Sequence, residues 1–272
     1  MSANRAALRK ILNSKTIIAP GVYDGLSARL ADSAGFEALY LSGYGVSAGQ
    51  LAKPDNGFLT LPDMEARIQS LCEAISTPLI ADADTGFDDI GATVQAYEKA
   101  GAAGIQIEDQ QVPKICGHIP GREVVSRDEA VAKITEAVAT RQDDDFLIVA
   151  RTDAREQNGL DEAIERGRLF AAAGADILFI ESPESEEEFR QIGAALGDMP
   201  LLANMVEGGR SPLIPRAKLV EMGFSFIIYP VAAMAASATA LNAAYQHLLE
   251  GEPDGARVSF QELNRMVGFP EK

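Results

Sequence analysis

The sequence predicts one closed (β/α)8 barrel, and three observations favour this fold class. Eight short apolar runs alternate along the chain with segments that have apolar residues at three- and four-residue spacing. Before every second run, a helical segment closes with a glycine suited to a left-handed cap. Nearly every run ends in polar or glycine-rich residues, which is typical of the face where active sites lie in this fold. The chain has 272 residues, enough for one such barrel.

The predicted strands are rich in Ile, Leu, Val and Phe and do not alternate cleanly, as expected for strands buried on both faces. They are residues 16–19, 38–41, 78–81, 104–107, 146–150, 177–180, 200–203 and 224–229. The predicted helices between them are residues 24–34, 62–75, 88–100, 126–141, 160–173, 185–196 and 215–222. An alanine-rich helix over residues 232–249 follows the last strand, so we assign residues 1–250 to one barrel domain.

The glycines that close helices form a weak internal repeat. Before the second, fourth, sixth and eighth strands stand Ala34-Gly35, Ala100-Gly101, Ala173-Gly174 and Met222-Gly223. A unit that recurs every second strand favours a closed barrel. An open, doubly wound sheet is the competing architecture, but no GxGxxG motif follows the first strand.

Residues 251–272 are assigned to a C-terminal helical arm. A turn at residues 252–255, EPDG, separates the alanine-rich helix from a short amphipathic end. The arm either packs on a neighbouring subunit or folds back on its own chain, and the sequence leaves both alternatives open.

Composition excludes several classes of partner. The chain has 24 Lys and Arg against 40 Asp and Glu, a net charge of −16, whereas nucleic acids and anionic membranes need a basic face. We therefore expect a small molecule as the ligand. Two cysteines, Cys72 and Cys116, are too few for a disulfide framework. Since no signal-peptide core and no run of about 18 apolar residues occurs, we expect a soluble, cytoplasmic protein.

Three carboxylates stand at the ends of neighbouring predicted strands. Asp82 and Asp84 follow the third strand and point to one side of it, and Glu108 follows the fourth. Packed carboxylates raise each other's pKa or need a cation, for which a hard divalent ion is suited. Because no His/Cys ligand set accompanies them, the sequence predicts Mg²⁺, with Mn²⁺ as an alternative metal. A helix cap or surface turn is the other interpretation, since Asp-Thr-Gly also forms turns.

Reactive side chains are concentrated on the loop after the fourth strand. Lys114, Cys116 and His118 alternate there within residues 105–122, IQIEDQQVPKICGHIPGR. Packing does not require a cation, a thiol and an imidazole at this spacing, so we take the loop as the active-site candidate. Nearby cations favour the thiolate of Cys116. The alternative, a small buried hydrophobe, fits Cys72 better.

Arg151 offers a cation at the end of the fifth strand. Its guanidinium can bind a carboxylate bidentately. It can instead form a structural ion pair with Asp153, Glu181 or Glu108, and both interpretations stay open.

Two further segments carry groups that could contact an anion. Ser42, Gly43 and Tyr44 follow the second strand and offer backbone amides and hydroxyl groups. Asn204 begins the glycine-rich stretch NMVEGGRSP, residues 204–212, which either closes over a ligand or is an ordinary turn.

Seven motifs form a recognisable series along nearly the whole chain. They are PGVYDGLSA (20–28), SGYG (42–45), ADADTGF (81–87), IEDQ (107–110), KICGH (114–118), ARTDA (150–154) and NMVEGG (204–209). In this order they resemble the isocitrate lyase / phosphoenolpyruvate mutase superfamily. The resemblance implies a (β/α)8 barrel, a homotetramer in which the last helix is exchanged between paired subunits, and a site for Mg²⁺ and an α-oxo or α-hydroxy acid.

The resemblance also implies a role for each matching residue. Mg²⁺ would be held, largely through water, by Asp82, Asp84 and Glu108. The substrate carboxylate would be bound by Ser42, Gly43, Tyr44 and Arg151, with Tyr40 and Asn204 lining the pocket. We add Glu181 to the substrate-binding set, and residues 114–121 would form a gating loop.

The gating loop separates the branches of the superfamily. Its phosphonomutases carry an asparagine after the lysine, whereas its carbon–carbon lyases carry Lys-x-Cys-Gly-His, as residues 114–118 do. The resemblance thus implies a lyase in which Cys116 is the general acid, with Lys114, His118 and Tyr40 as further candidate catalytic residues. Cys116 can donate a proton only as a thiol. The charge of the bound substrate is therefore expected to raise the pKa of Cys116, against the effect of the cations that favour the thiolate. The base for the C2 hydroxyl is open between Tyr40 and Tyr44.

The predicted reaction is cleavage of a 2-hydroxy di- or tricarboxylate to an oxo acid such as pyruvate plus a second acid. The loop at residues 206–212, VEGGRSP, resembles the 2,3-dimethylmalate lyase and petal-death-protein branch more than the 2-methylisocitrate lyase branch. We expect Val231, Ala232 and Leu213 to line the space for the C3 substituent. The second alternative is an oxaloacetate hydrolase or decarboxylase, or a phosphonomutase like carboxyvinyl-carboxyphosphonate phosphorylmutase. The third is a barrel that binds oxo acids without turnover.

Overall fold

The computed structural model describes residues 2–12, 14–251 and 257–269, and it confirms the predicted barrel. Eight parallel strands close into one sheet in which each strand pairs with the next and the eighth pairs with the first. The strands are β1 (Ile17–Val22), β2 (Leu39–Leu41), β3 (Leu79–Asp82), β4 (Gly104–Glu108), β5 (Leu147–Thr152), β6 (Ile177–Ile180), β7 (Leu201–Asn204) and β8 (Phe224–Tyr229).

Every predicted strand overlaps an observed one, but several strands extend further at their C-terminal ends. Asp82, Glu108, Arg151 and Asn204 therefore belong to strands, whereas the sequence analysis placed them just beyond. In the register of the sheet, Glu108 lies opposite Arg151 and Asp82 lies opposite Gln106. Because ladder pairing fixes their backbones, these polar side chains are held rigidly at one end of the barrel.

β1 continues through Pro20 and Gly21, beyond residue 19, where the first predicted strand ends. Pro20 pairs with Tyr229 of β8. A Cβ atom on Gly21 would lie 2.1 Å from the carbonyl oxygen of Pro230. Glycine is required at this position because the two backbones approach so closely.

The helices surround the sheet. They are α1 (Ser2–Leu12), α2 (Gly25–Ser33), α3 (Gly43–Val46), α4 (Leu61–Ala74), α5 (Ile90–Ala100), α6 (Arg127–Thr140), α7 (Arg155–Asn158), α8 (Leu160–Ala172), α9 (Glu186–Leu196), α10 (Arg216–Glu221), α11 (Ala232–Leu249) and α12 (Phe260–Met266). The sequence analysis does not predict α1, α3 or α7. The last two have four residues each, too few to display a helical period.

The apolar core has two layers. Inside the barrel, Ile80, Leu147 and Phe226 are buried with other inward-facing strand residues. Between the strands and the helices, Phe170 and Phe189 belong to a larger buried cluster. This filled interior makes the barrel a rigid scaffold for the residues at its C-terminal end.

α1 closes the N-terminal end of the barrel. Leu8 and Leu12 are buried with the inner layer, and Arg5 Nε donates to the carbonyl oxygen of Ala102 at 2.9 Å. The opposite end, where the polar residues lie, stays free to hold a site.

The C-terminal helices are the least buried part of the described chain. α11 has no buried residue although it has 18 residues, and Leu249 and Tyr245 on it are 83% and 64% exposed. α12 lies against α2 of the same chain, with Gly268 near Arg29. The predicted turn at residues 252–255 lies outside the described residues, so the division at residue 250 stays a prediction. None of the described helices is long and apolar enough to span a membrane.

Candidate active site

A cavity of about 630 Å³ opens at the C-terminal ends of the strands. It brings together most of the predicted site residues: Tyr40, Ser42, Tyr44, Asp82, Cys116, His118, Arg151, Glu181 and Asn204. The others, Gly43, Asp84, Glu108 and Lys114, are buried and contact residues that line the cavity.

The three predicted metal-binding carboxylates lie buried at the ends of β3 and β4. Asp82 Oδ1 accepts hydrogen bonds from the Asp84 amide at 3.1 Å and from the Gln106 side chain at 3.2 Å. Burial raises the pKa of all three carboxyl groups, to about 7 for Asp84, although the Lys114 ammonium opposes the rise for Asp84. An additional cation would therefore stabilise their ionised forms.

Lys114 reaches from the gating loop into this group of carboxylates. Its Nζ contacts Asp55 and lies 2.6 Å from Asp84 Oδ1. Burial alone would lower the pKa of Lys114, but the carboxylates of Asp84 and Glu108 raise it overall, so the ammonium stays charged. Asp55, which the sequence analysis does not single out, is thus a counter-charge for the loop.

These residues fit a hard divalent cation that is held largely through water. No trio of His, Cys, Asp and Glu within the described ranges forms a ready-made site for direct ligation. Glu108 Oε1, however, is buried without a hydrogen-bond partner. The available donors are carboxylate oxygens, which suit Mg²⁺ or Mn²⁺ better than Zn²⁺.

Ser42 and Gly43 shape the edge of the site next to β3. The Ser42 hydroxyl accepts a hydrogen bond from the Gly45 amide at 3.2 Å and caps α3. The Gly43 amide donates to Asp82 Oδ2 at 3.3 Å, and a Cβ atom there would lie 2.9 Å from the same oxygen. Gly43 thus positions a carboxylate, while its contact with substrate stays a prediction.

Cys116 lines the cavity as a protonated thiol. Burial raises its pKa, although the His118 backbone amide donates to the sulfur and opposes the rise. The expectation that loop cations favour a thiolate is therefore wrong. Lys114 is engaged by Asp55 and Asp84, so little of its charge acts on the sulfur.

His118 joins the gating loop to the loop after β7. Its Nδ1 accepts a hydrogen bond from the Arg210 amide at 3.2 Å, so a neutral ring carries its proton on Nε2. Nε2 lies 3.2 Å from Asn204 Nδ2 and 3.8 Å from Glu181 Oε1. Burial lowers the pKa of His118 although Glu181 opposes this, and the imidazole is neutral near pH 7.

Arg151 both lines the cavity and forms structural ion pairs, so the two interpretations of this residue are compatible. It makes two hydrogen bonds to Asp153, at 2.8 and 2.9 Å, and Nη1 lies 3.2 Å from Glu108 Oε2. Its Nη2 lies 3.7 Å from Glu181 Oε2. Burial alone would raise the pKa of Glu181, but Arg151 and His118 lower it to about 2, so Glu181 is ionised.

The two tyrosines considered as bases occupy different environments. Tyr40 is buried and donates its hydroxyl proton to Gln106 Oε1 at 2.8 Å. Burial and the charge of Asp82 hold the pKa of Tyr40 well above its usual range, so its phenol favours donating a hydrogen bond. Tyr44 is 41% exposed at the cavity. The choice of base stays a prediction.

Two residues that were not assigned from the sequence contact the backbone of the loop at residues 114–121. Arg122 is fully buried, its Nη1 donates to the carbonyl oxygen of Gly117, and it pairs with Asp153 at 2.9 Å. Ser182 Oγ lies 2.8 Å from the same Gly117 oxygen. The sequence signal was weak, because an arginine after Pro-Gly and a serine after a strand are also common in ordinary loops.

Comparison with known proteins agrees with this geometry. The sequence model of the phosphoenolpyruvate phosphomutase family matches residues 8–249. The chain belongs to the phosphoenolpyruvate mutase / isocitrate lyase superfamily. This membership confirms the resemblance of the seven motifs and shows that the chain is an enzyme of the superfamily.

Two relatives of this superfamily member are named as carbon–carbon lyases. The 2,3-dimethylmalate lyase of Eubacterium barkeri is 46% identical over 272 residues, which cover 97% of this chain and 94% of the relative. The 2-methylisocitrate lyase of Aeropyrum pernix is 44% identical over 247 residues, covering 89% and 79% of the two chains.

Solved structures of the superfamily superimpose closely on the barrel. An oxaloacetate acetylhydrolase bound to 3,3-difluorooxaloacetate has a TM-score of 0.94 and 38% identity, covering 98% of this chain and 94% of the other. A 2,3-dimethylmalate lyase has a TM-score of 0.93 and 41% identity, covering 97% and 91%. A phosphonopyruvate hydrolase bound to oxalate and Mg²⁺ has a TM-score of 0.87 and 30% identity, covering 97% and 94%.

Proposed function

We propose that the protein is a divalent-metal-dependent carbon–carbon lyase acting on 2,3-dimethylmalate or a similar 2-alkylmalate. The products would be pyruvate, or another 2-oxo acid, and a second carboxylic acid. The observation that carries the proposal is the cavity that Cys116 shares with Arg151 and Asp82, in which burial raises the pKa of the thiol. An acid, an anion-binding cation and a metal-binding carboxylate are three of the functions that this cleavage needs, besides a base for the C2 hydroxyl.

In the proposed reaction, the C2 hydroxyl loses its proton to a general base, for which Tyr40 and Tyr44 are the predicted candidates, and C2 becomes the carbonyl carbon of the oxo acid. The electrons of the C2–C3 bond pass to C3, next to the second carboxylate. The Cys116 thiol then donates its proton to C3. For 2,3-dimethylmalate, the products are pyruvate and propionate.

The chain's own residues bind and orient the substrate in this scheme. Arg151 lies in the cavity and offers a guanidinium to a carboxylate, although Glu108 and Glu181 share its charge. The neutral ring of His118 and the amide of Asn204 add hydrogen-bonding groups beside Glu181. Asn204 Oδ1 is buried without a hydrogen-bond partner in the protein and could accept a hydrogen bond from a substrate hydroxyl group.

Asp82, Asp84 and Glu108 would hold Mg²⁺, or alternatively Mn²⁺, largely through water. A metal bound there supplies Lewis acidity that stabilises the charge developing on the C2 oxygen and the adjacent carboxylate. The phosphonopyruvate hydrolase with Mg²⁺ and oxalate supports a divalent metal in this superfamily.

The cavity lining favours a dicarboxylate with small alkyl groups over a tricarboxylate. Val206, Val231, Met234, Ala235 and Ala238 belong to its apolar part, whereas the predicted lining residues Ala232 and Leu213 are not among the described residues that line it. Apolar walls accommodate methyl groups and offer no partner for a third carboxylate.

The proposal is tested by measuring oxo-acid release from 2,3-dimethylmalate, other 2-alkylmalates, 2-methylisocitrate and oxaloacetate, with Mg²⁺ and with excess EDTA. We expect metal-dependent cleavage of a 2-alkylmalate. Cys116→Ser should lower kcat by about 10²- to 10⁴-fold, the usual contribution of a general acid. Cys72→Ser is the matched control, since Cys72 lies outside the cavity. Turnover that is indifferent to EDTA or to Cys116→Ser would refute the lyase mechanism.

Hydrolysis of oxaloacetate is the second candidate function. The close superposition with oxaloacetate acetylhydrolase favours it, because the two barrels align over 98% of this chain. Release of oxalate and acetate from oxaloacetate, without cleavage of any 2-alkylmalate in the panel, would assign this activity instead.

We also propose that the protein is a homotetramer in which C-terminal helices are exchanged between paired subunits. Support comes from the exposed apolar side chains of α11 and α12, among them Tyr245, Leu249 and Phe260. An apolar helix that buries no residue in its own chain is suited to packing on another chain.

A further inference from the structure

The carbonyl oxygen of Gly117 receives hydrogen bonds from two side chains outside the gating loop. One donor is Arg122 Nη1, and the other is the hydroxyl of Ser182, whose Oγ lies 2.8 Å away. These two donors match the two lone pairs of the carbonyl oxygen. The backbone next to Cys116 is therefore held to the barrel by a pair of buried groups.

Ser182 is held in an unusual conformation for a residue with a side chain. Its φ is +57°, in the left-handed region, and the residue is 1% exposed. Its Oγ also lies 2.8 Å from Glu181 Oε1. A hydroxyl has only one proton, which Ser182 shares between Glu181 Oε1 and the Gly117 carbonyl oxygen.

The Gly117 backbone packs directly on the charged groups of the cavity. A Cβ atom on Gly117 would lie 2.4 Å from Arg151 Nη2 and 2.9 Å from Glu181 Cδ. Because Cys116 is the preceding residue, the position of the Gly117 peptide determines where its thiol lies relative to Arg151 and Glu181.

We propose that Ser182 is a positioning residue which, together with Arg122, latches the Gly117 carbonyl and so holds the Cys116 thiol inside the cavity. Ser182 does not take part in the chemical steps of the reaction. The effect of the latch on turnover rests on the proposed function. The contact of the loop with Ser182 and Arg122 can be tested without any substrate.

The first test is the rate at which iodoacetamide alkylates Cys116, measured peptide by peptide with mass spectrometry. Ser182→Ala and Ser182→Gly both remove the hydroxyl, and glycine also accepts the positive φ without strain. We expect each variant to speed alkylation of Cys116 by about fivefold, the change in the closed-to-open ratio for one lost hydrogen bond. Cys72 in the same samples is the internal reference.

Two further variants separate the latch from other effects. Arg122→Lys weakens the second donor without touching Glu181, so it should also speed alkylation. Thr77→Val removes a hydrogen bond of 2.6 Å to Asp32 at the N-terminal end of the barrel and should leave the rate unchanged. Alkylation rates in the folded Ser182 variants that match the unmodified protein would overturn the latch, whatever their activity.

Kinetics give an independent measurement. If the latch positions the general acid, Ser182→Gly should lower kcat by about tenfold with a smaller change in KM, because binding groups stay in place. Faster alkylation without turnover of any substrate in the panel would uphold the latch and refute the proposed function. Normal kcat with faster alkylation would overturn the role of Ser182 in positioning the acid.

Discussion

At the scale of single residues, the protonation state of Cys116 is the property on which the proposed chemistry depends. Burial raises the pKa of its thiol. The neighbouring cation, Lys114, is occupied by Asp55 and Asp84, and His118 is neutral. The thiol can therefore donate a proton near pH 7, and it is a poor nucleophile in the same state.

Gly117 leaves no room for a side chain, because a Cβ atom there would lie 2.4 Å from Arg151 Nη2. We predict that Gly117→Ala lowers kcat/KM by about 100-fold, since the new methyl group would collide with Arg151 and Glu181 and displace the thiol. Steady-state kinetics on the best substrate of the panel would measure the loss. Gly25→Ala is the control, because a Cβ atom there meets nothing within 4 Å. Equal activity of both variants would show that the loop need not approach Arg151 so closely.

At the scale of elements, the short helix α7 anchors two loops at once. Glu156 in α7 lies 2.7 Å from Arg122 at the end of the gating loop and 2.7 Å from Arg210 in the loop after β7. The Gly121 amide also donates to Glu156 at 3.0 Å. The Glu156 carboxylate thus holds both the gating loop and the loop after β7 in place.

This support should depend on pH. Burial alone would raise the pKa of Glu156, but Arg122 and Arg210 lower it from 4.5 to about 2. A lowered carboxyl pKa in the folded state stabilises the fold above pH 4.5, and the effect disappears as pH falls towards 2.

We therefore predict that Glu156→Gln lowers the free energy of unfolding by about 1–2 kcal/mol at pH 7, after allowance for solvent screening. The difference from the unmodified protein should shrink steadily below pH 4.5. Urea denaturation followed by circular dichroism at several pH values would measure it. Glu136 is exposed, so Glu136→Gln is the control and should change the free energy of unfolding little at any of these pH values. A loss that is independent of pH would contradict the ion-pair origin of the stabilisation.

At the scale of the whole molecule, the sheet gathers residues from distant parts of the chain at one end of the barrel. The net charge of −16 repels an anionic substrate at long range, so recognition depends on the local cations. The other large-scale feature is the exposed apolar surface of α11 and α12, which the proposed tetramer would cover.

We predict that size-exclusion chromatography with light scattering gives the mass of four chains. Tyr245→Asp, at a position 64% exposed in α11, should weaken assembly by about tenfold or more, because it would bury an unpaired charge. Val220→Asp is the matched control, since Val220 is 44% exposed on α10. A monomer as the main species of the unmodified protein would rule out the tetramer.

The order of strands and helices, and most of the polar residues at the strand ends, could be predicted from the amino-acid sequence. Both signals are local, because a buried run, its period and the residue that ends it are adjacent in the chain. Asp82, Glu108 and Arg151 could thus be selected as site residues, and the KICGH motif located the loop. The seven motifs also identified the superfamily.

How these groups act on one another depends on contacts that form in the folded barrel. Asp55 pairs with Lys114 although 59 positions separate them, and Ser182 reaches the Gly117 carbonyl across 65 positions. The pKa of Cys116 is raised, whereas the cations near it in the sequence were expected to lower it. Burial of the thiol and the pairing of Lys114 with Asp84 have the larger effect. Burial and electrostatic pairing are properties of the folded barrel, since they depend on which strand ends and loops meet in space.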